Sequence, residues 1–476
     1  MVFIVTRGIY RLYLHPLCHF PGPRRAALSN DWIYTISRAG KLEEAFERLH
    51  RKYDAKAIRI APNELHISDV SLYKVIYNQT SQFLKEAAHY DAFMTYHTTF
   101  SELNPEKHRI RRRKLNNYFS KTSINKIESL IVGKIELMKR RINVLKKTQS
   151  INVYNCFRCI TTDIICQYAF RDPKDMIEKT SNNFDGGFID VFDQVTKITW
   201  DMKYRPIMRK ISYRIPESLG RLLSPAANAV VGMRNEVRKS IRRYREDPVS
   251  EYPTILGDLI LETSDESLVL DEAISIVVAG SDTTAYSLSV GMWHILSTHW
   301  IQQRLVGELR DHIPDKEKMP TLVELERLPF LMACMRESIR VARAVPGRLP
   351  RLVPKGMSLV IDGKVVPPGT VVGMSAYTMH TSEELWGPDA REFNPGRWIQ
   401  DNAKTLDQHM VSFSKGVRSC IGQNLAYAEA TLILAYMFRQ YDLSLSDGSS
   451  NTDSLDKFAS CLRPPGILVN MRSSIN

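Results

Sequence analysis

The sequence predicts one large, mainly α-helical unit with a small β portion. Three observations carry this. The 476 residues are 43% hydrophobic, enough for a sizeable core. No Pro/Ser/Gly-rich linker, low-complexity tract or internal repeat divides the chain. Helical spacing of apolar residues recurs along it, and one stretch, 270–297, is apolar nearly all round, as a helix through the middle of a core must be.

Composition narrows the function. Basic residues outnumber acidic ones, 65 to 52, for a net charge of +13. Such a balance first suggests nucleic acid, but no helix-turn-helix, zinc finger or aromatic-basic repeat is present. The cations are scattered and mixed with acids, as in Lys41-Leu42-Glu43-Glu44. No nucleic acid is therefore expected. Most of the cations read as a solvated surface, with a basic face toward an acidic redox partner or anionic membrane as the second reading. The seven cysteines are Cys18, Cys156, Cys159, Cys166, Cys334, Cys420 and Cys461. Their odd count, in a chain too long to need staples, predicts a reducing compartment. Cys156 and Cys159 form a C-x-x-C with no second pair at zinc spacing; with Cys166 they are expected in one buried helix over 153–170.

In chain order, residues 1–30 read as a separate membrane-proximal hinge segment. Residues 1–5 are apolar, Arg7 and Arg11 interrupt them, and no run of 18 apolar residues follows. Neither a transmembrane helix nor a secretory signal is predicted. The amphipathic remainder suits a membrane interface, and Pro21-Gly22-Pro23 suits a stiff hinge. The main domain is then 31–476.

Within it, 41–53 is helix-patterned. Residues 57–68 alternate around Pro62, as two strands of a small sheet do. Residues 82–104 lack periodicity and are rich in aromatics, which fits a loop over a pocket and core packing equally. Pro105 opens a helix whose run from His108 to Leu115 holds four arginines and no acid, and so wants an anion. Helices are expected over 123–144 and 153–170, with two more in 181–250 separated by Pro206 and Pro216.

Three later stretches carry chemistry. Inside the apolar helix lies Ala279-Gly280-Ser281-Asp282-Thr283-Thr284. Consecutive threonines bond back to earlier carbonyls and bend a helix; an acid beside an alcohol relays protons. A helix over 327–343 holds Glu337 and Arg340 one turn apart, a pair that alone is weak. The last is Phe413-Ser414-Lys415-Gly416-Val417-Arg418-Ser419-Cys420-Ile421-Gly422, which places one cysteine just before a helix-patterned run over 423–439. A helix N-terminus lowers a thiol's pKa and favours the metal-binding thiolate. Gly416 permits a sharp turn and Gly422 a close passage of backbone. Phe413 can shield the sulfur, and Arg418 can neutralise an acid near the metal. The set suits a haem-thiolate iron site.

The ten residues from Phe413 resemble the haem-binding pattern of the cytochrome P450 family at every defined position. The 279–284 stretch matches that family's oxygen-activation motif, and Glu337-x-x-Arg340, then Phe393-Asn-Pro-Gly-Arg397-Trp398, precede the cysteine loop in family order. The resemblance runs over the chain from about Tyr10 and is closest to fungal enzymes of secondary metabolism of the trichodiene-oxygenase-like branch. It implies a single cytochrome P450-type helical fold with a long central oxygen-binding helix, and haem b with Cys420 as axial thiolate ligand. It implies Asp282 and Thr283 as the proton relay and a buried structural triad of Glu337, Arg340 and Arg397, with Gly396 where the family has glutamate. Arg112 takes the family's propionate-binding place on the basic helix, with His108 where a tryptophan is usual; Arg351, and the loop residues Phe413, Gly416, Arg418 and Gly422, complete the cofactor set. The activity implied is reductase-dependent monooxygenation of a hydrophobic small molecule with O2 and NADPH. A terpenoid is the first expectation; a polyketide or alkaloid is the next. The cytosolic face of the endoplasmic reticulum is the expected location, with a soluble cytoplasmic enzyme as the alternative. The absence of a dinucleotide-binding Gly pattern or flavin module sends the electron supply to a separate reductase. A haem-thiolate isomerase or dehydratase would not need Asp282 and Thr283, and a non-catalytic haem-binding protein would need no relay.

Overall fold

The computed structural model of the chain describes residues 2–96, 98–212, 219, 224–249, 252–401, 403–449 and 451–474. Its centre is the helix Glu266–Ser297, which runs unbroken for 32 residues and buries side chains on all faces. Asp265 caps it, accepting from the Ser267 and Leu268 backbone N–H groups. The helix begins four residues before the apolar run does, because the cap and first turn are polar and escape a hydrophobic pattern.

The other long helices pack around this one. Val153–Phe170 is the most extensively buried; Cys156, Cys159 and Cys166 lie in its interior faces. At Gly280 a Cβ would stand 2.7 Å from Ile165 Cγ1, so the missing side chain lets the two helices approach closely. Pro329–Ala342 crosses the central helix and Gln423–Gln440 lies against both. One extended core joins these helices.

Region 181–250 departs from the two helices expected. It contains Phe188–Thr196, Thr199–Tyr204, Pro206–Ser212 and Pro225–Glu246. Pro206 splits the middle pair because Arg205, ahead of a proline, leaves the helical region (φ −118°, ψ 73°). Pro216 lies outside the described residues. The helix expected over 123–144 is likewise two, Lys121–Lys126 and Glu128–Leu145, parted at Ile127.

The β portion is split among four sheets in the described residues; the one with most strands has five, ordered Ala57–Ala61, Glu64–Ile67, Val371–Gly373, Arg351–Leu352, Leu84–Lys85. The Glu64 and Val371 strands are parallel; the other neighbours are antiparallel. The sheet packs on Leu17 and Phe20, which are buried with Ala57, Leu65 and Val372. By contrast Val2, Phe3, Ile4 and Val5, on the helix Val2–Ile9, are exposed. Among the described residues no helix is long and apolar enough to cross a membrane. Near the sheet, Glu43 of the helix Leu42–Tyr53 is buried 3.7 Å from His66 Nε2, and burial pushes its carboxyl up to about 8.

Candidate active site

A cavity of about 810 Å³ lies between the central helix, the sheet and the cysteine loop. Most of its wall is apolar: Phe93, Phe100, Phe192, Met202, Ile339 and Phe458 are among the lining residues. Cys420 is exposed, and what it is exposed to is this interior space.

The loop that presents it is set by two contacts. Gly416 has φ +76°, and a Cβ there would stand 2.3 Å from the Asn78 carbonyl oxygen, so only glycine fits the turn. The Cys420 N–H then donates to Phe413 O at 2.8 Å, closing the loop just ahead of the helix Gln423–Gln440. The Phe413 ring lines the cavity and meets Tyr427 edge-on. Gly422 has an ordinary φ of −81°, and a Cβ on it would project to 3.9 Å from Cys420 Sγ. The bare backbone there leaves room for a flat group beside the sulfur. The thiol itself departs from the sequence expectation. Burial raises its pKa, and the Gly422 backbone N–H and Arg112 offset this only in part.

Around one end of the cavity stand His108, Arg112 and Arg418, with Arg351 behind them. Arg112, on the helix Pro105–Asn116, donates from Nη1 to Ser419 O and from Nε to Asn116 Oδ1, both at 2.8 Å. Arg418 donates to Glu102 O at 2.7 Å and Leu103 O at 3.4 Å. Arg351 donates to Tyr90 Oη at 2.5 Å and lies over the Tyr77 ring. No ion pair with an acid is found for any of these three arginines among the described residues. Burial first, and then its basic neighbours, push His108 down to about 3 and Arg418 down to about 10. Arginines beside a thiol that are not ion-paired to an acid fit a metal-bearing ligand that carries its own acid groups, as haem b does.

From the central helix, Thr283 and Asp282 also line the cavity. The Thr283 hydroxyl donates to Ala279 O at 3.0 Å, and the Thr161 hydroxyl donates to Ser281 O. The Asp282 carboxylate turns toward Val153–Phe170, where Tyr154 Oη donates to it at 3.2 Å and Arg158 Nε lies 2.7 Å away. Arg158 Nη2 reaches Asp193 Oδ1 at 2.7 Å, and Asp193 is partly exposed. The ion chain Asp282–Arg158–Asp193 therefore leads from the cavity wall to the protein surface.

Glu337, Arg340 and Arg397 meet in the interior. Arg340 donates to both Glu337 oxygens at 2.8 Å, and Arg397 Nε donates to Oε1 at 3.1 Å. Trp398 Nε1 adds 2.9 Å to Oε2. Arg340 also holds the carbonyls of His380, Ala390 and Glu392. Gly396 takes no part through a side chain; Asp389 Oδ2 pairs with Arg397 at 2.8 Å instead.

A family model described as Cytochrome P450 matches residues 21–471. The chain belongs to the cytochrome P450 family. Cytochrome P450 monooxygenase aneF of Aspergillus aculeatus is 30% identical over 465 residues, covering 94% of this chain and 92% of that protein. Cytochrome P450 monooxygenase tpcC of Cochliobolus heterostrophus is 31% identical, covering 94% and 88%, and cytochrome P450 monooxygenase MO6277 of Ascocoryne sarcoides 32%, covering 92% and 90%. The chain is accordingly a monooxygenase, an oxidoreductase that uses O2, a hydrophobic substrate and a reductase partner. Its cofactor is haem b, whose iron a cysteine thiolate ligates.

Sequence reasoning missed several residues of this cytochrome P450 site. Arg158 and Asp193 are two. The one available signal was that Arg158 and Asp163 are the only charges in 153–170, and a charge in a buried helix needs a partner. Lys85, Asp271 and Glu272 also line the cavity, and no motif marks them.

Proposed function

We propose that Cys420 is the axial ligand and that the chain hydroxylates or epoxidises a terpenoid in fungal secondary metabolism. The observation that supports this most is the joint lining of one mostly apolar cavity by Cys420, by Thr283 and by Arg112 and Arg418, neither of which is ion-paired to an acid among the described residues. Haem b held by a thiolate uses O2, two electrons and two protons to place one oxygen atom in the substrate and the other in water.

In this reading the chain supplies the rest. His108, Arg112, Arg351 and Arg418 hold the cofactor's two carboxylates, and Gly416, Gly422 and Phe413 shape the loop around the sulfur. Arg158 orients the Asp282 carboxylate and ties it to Asp193; Asp282 takes protons from water, and the Thr283 hydroxyl delivers them into the cavity. Glu337, Arg340 and Arg397 brace the cysteine side of the fold. Most of the wall is apolar, with phenylalanines and methionines among its residues, which favours a largely hydrocarbon skeleton.

The domain reading is 1–30 as a membrane-proximal segment and 31–476 as the monooxygenase domain. The exposed Val2, Phe3, Ile4 and Val5 suit an interfacial contact with the cytosolic face of the endoplasmic reticulum, where an NADPH-dependent reductase would supply electrons. The test is reconstitution with such a reductase, NADPH and 18O2. One labelled oxygen in a terpenoid product and a thiolate-type Soret band for the reduced carbon-monoxide complex support the reading. Turnover of polyketide or alkaloid substrates alone overturns the terpenoid assignment. The same Soret band in Cys420→Ala overturns the ligand assignment.

A further inference from the structure

Gly347 stands in the cavity wall, and the fold does not require a glycine there. Its φ lies outside the left-handed region. Apart from its chain neighbours, a Cβ on it would meet only Asp456 Oδ2 and Glu43 Oε1, both at an ordinary contact distance of 3.7 Å. The bare Cα therefore leaves a gap in the wall with two carboxyl oxygens behind it.

Both oxygens are unpartnered. Glu43 and Asp456 are only 2% and 7% exposed, and no hydrogen-bond partner is found for either Glu43 oxygen or for Asp456 Oδ2 among the described residues. The Ser375 hydroxyl favours the ionised form of Glu43, but it donates its hydrogen bond to Thr378 Oγ1 at 2.9 Å. Asp456 is fixed by its other oxygen, which accepts from the Phe458 N–H at 2.8 Å. Phe458 itself lines the cavity with φ +83°, a conformation unfavourable to an aromatic residue and one that gathers at ligand sites.

A buried carboxyl group without a partner is costly, so these oxygens call for a ligand. Among the described residues no group of three or more His, Cys, Asp and Glu side chains is placed to hold a metal ion. Burial raises Glu43 to about 8 and Asp456 to about 6. Near neutral pH one is protonated and the other mostly ionised, a pair that can both donate to and accept from one hydroxyl.

We infer that the gap at Gly347 is a substrate subsite that takes a hydroxyl group, with Asp456 and Glu43 as specificity-determining residues. The substrate then arrives already oxygenated, and a hydroxylating or hydrating reaction on its skeleton must come before this one. For the skeleton alone, the inference rests on the terpenoid reading of the preceding subsection.

The test titrates haem-loaded wild type, Gly347→Ala and Asp456→Asn with paired probes and reads the Soret shift. The pairs are limonene with perillyl alcohol, cedrene with cedrol and, outside the terpenoids, cyclododecane with cyclododecanol. Gly347→Ala fills the gap and is expected to weaken alcohol binding about tenfold, as loss of one hydrogen bond to a charged group predicts, with hydrocarbon binding near wild type. Asp456→Asn should weaken the alcohols in smaller measure and the hydrocarbons not at all. Alcohol binding in Gly347→Ala that equals wild type, as expected if water alone fills the gap, overturns the inference. So does an equal loss for alcohol and hydrocarbon. Should that variant not fold, Asp456→Asn decides: unchanged alcohol binding overturns the inference. Binding of the cyclododecane pair alone defeats the terpenoid reading instead, and the alcohol's loss within that pair still judges the subsite.

Discussion

Arg158 Nε lies 2.7 Å from Asp282 Oδ1, in a place where both side chains are almost wholly buried. Burial raises the Asp282 pKa and Arg158 opposes that rise. The same guanidinium reaches Asp193 at its other edge. One cation thus lowers the proton affinity of Asp282 against the effect of burial and connects it to a partly exposed carboxylate. Arg158→Met should leave Asp282 with Tyr154 as its remaining partner, raise its proton affinity and slow its exchange with water. Breaking a buried pair in this way costs about 3–5 kcal/mol. The expected result is a lower melting temperature and less product per NADPH, with Arg158→Met/Asp282→Asn recovering part of the stability but not the coupling.

Thr283 donates its hydroxyl to Ala279 O, a bond that competes with any bond it makes into the cavity. Thr283→Ala should keep the fold and the carbon-monoxide spectrum, raise peroxide release and lower product per NADPH. Thr283→Ser should retain most of the coupling. Wild-type coupling in the alanine variant would falsify the relay.

Glu337 accepts from Arg340, Arg397 and Trp398 and from the Asn394 backbone. Glu337→Ala leaves the buried Arg340 without an acid and Arg397 with Asp389 alone. The expected loss is at least about 3–5 kcal/mol, enough against the margin of a typical domain to prevent accumulation of folded, haem-loaded protein. Soluble yield and haem content at the Soret band measure it.

Glu43 gives the pH prediction. Its carboxyl sits at about 8 in the folded protein against an ordinary 4.5. Between those values the folded state binds the extra proton, so stability falls as pH rises through the window and the loss is complete above it. Each pH unit is worth about 1.4 kcal/mol. Glu43→Gln should flatten the decline in denaturation midpoint between about pH 5 and 8. A slope equal to that of wild type counts against the assignment.

Gly416→Ala meets both a positive φ and the Asn78 carbonyl. The loop must shift, at a cost above about 1 kcal/mol, and Cys420 shifts with it. Faster haem loss and a thiolate band of lower intensity are expected, with secondary structure unchanged by circular dichroism.

The features legible in the sequence were those written in local pattern. An all-round apolar run marked the central helix, and a glycine-bent loop ahead of a helix marked Cys420. The spacing of Glu337 and Arg340 marked a helix-face pair, though only the fold shows that Arg397 and Trp398 close on the same carboxylate. Features that depend on elements distant in sequence were not legible. Asp282 finds Arg158 only because Gly280 lets two helices approach at Ile165. Lys85 faces Arg351 through a two-residue strand with no alternation to detect. The thiol's raised pKa is also a property of enclosure, which local pattern does not carry.

The crowding of Lys85, Arg112, Arg351 and Arg418 bears on how the protein is made. Glu102 offsets only part of this mutual repulsion, and cofactor binding to the folded chain adds to its folding free energy. A larger supply of porphyrin is therefore expected to raise the share of newly synthesised chains that stay folded. Feeding a producing culture with a porphyrin precursor should raise the quantity of this protein as well as its colour.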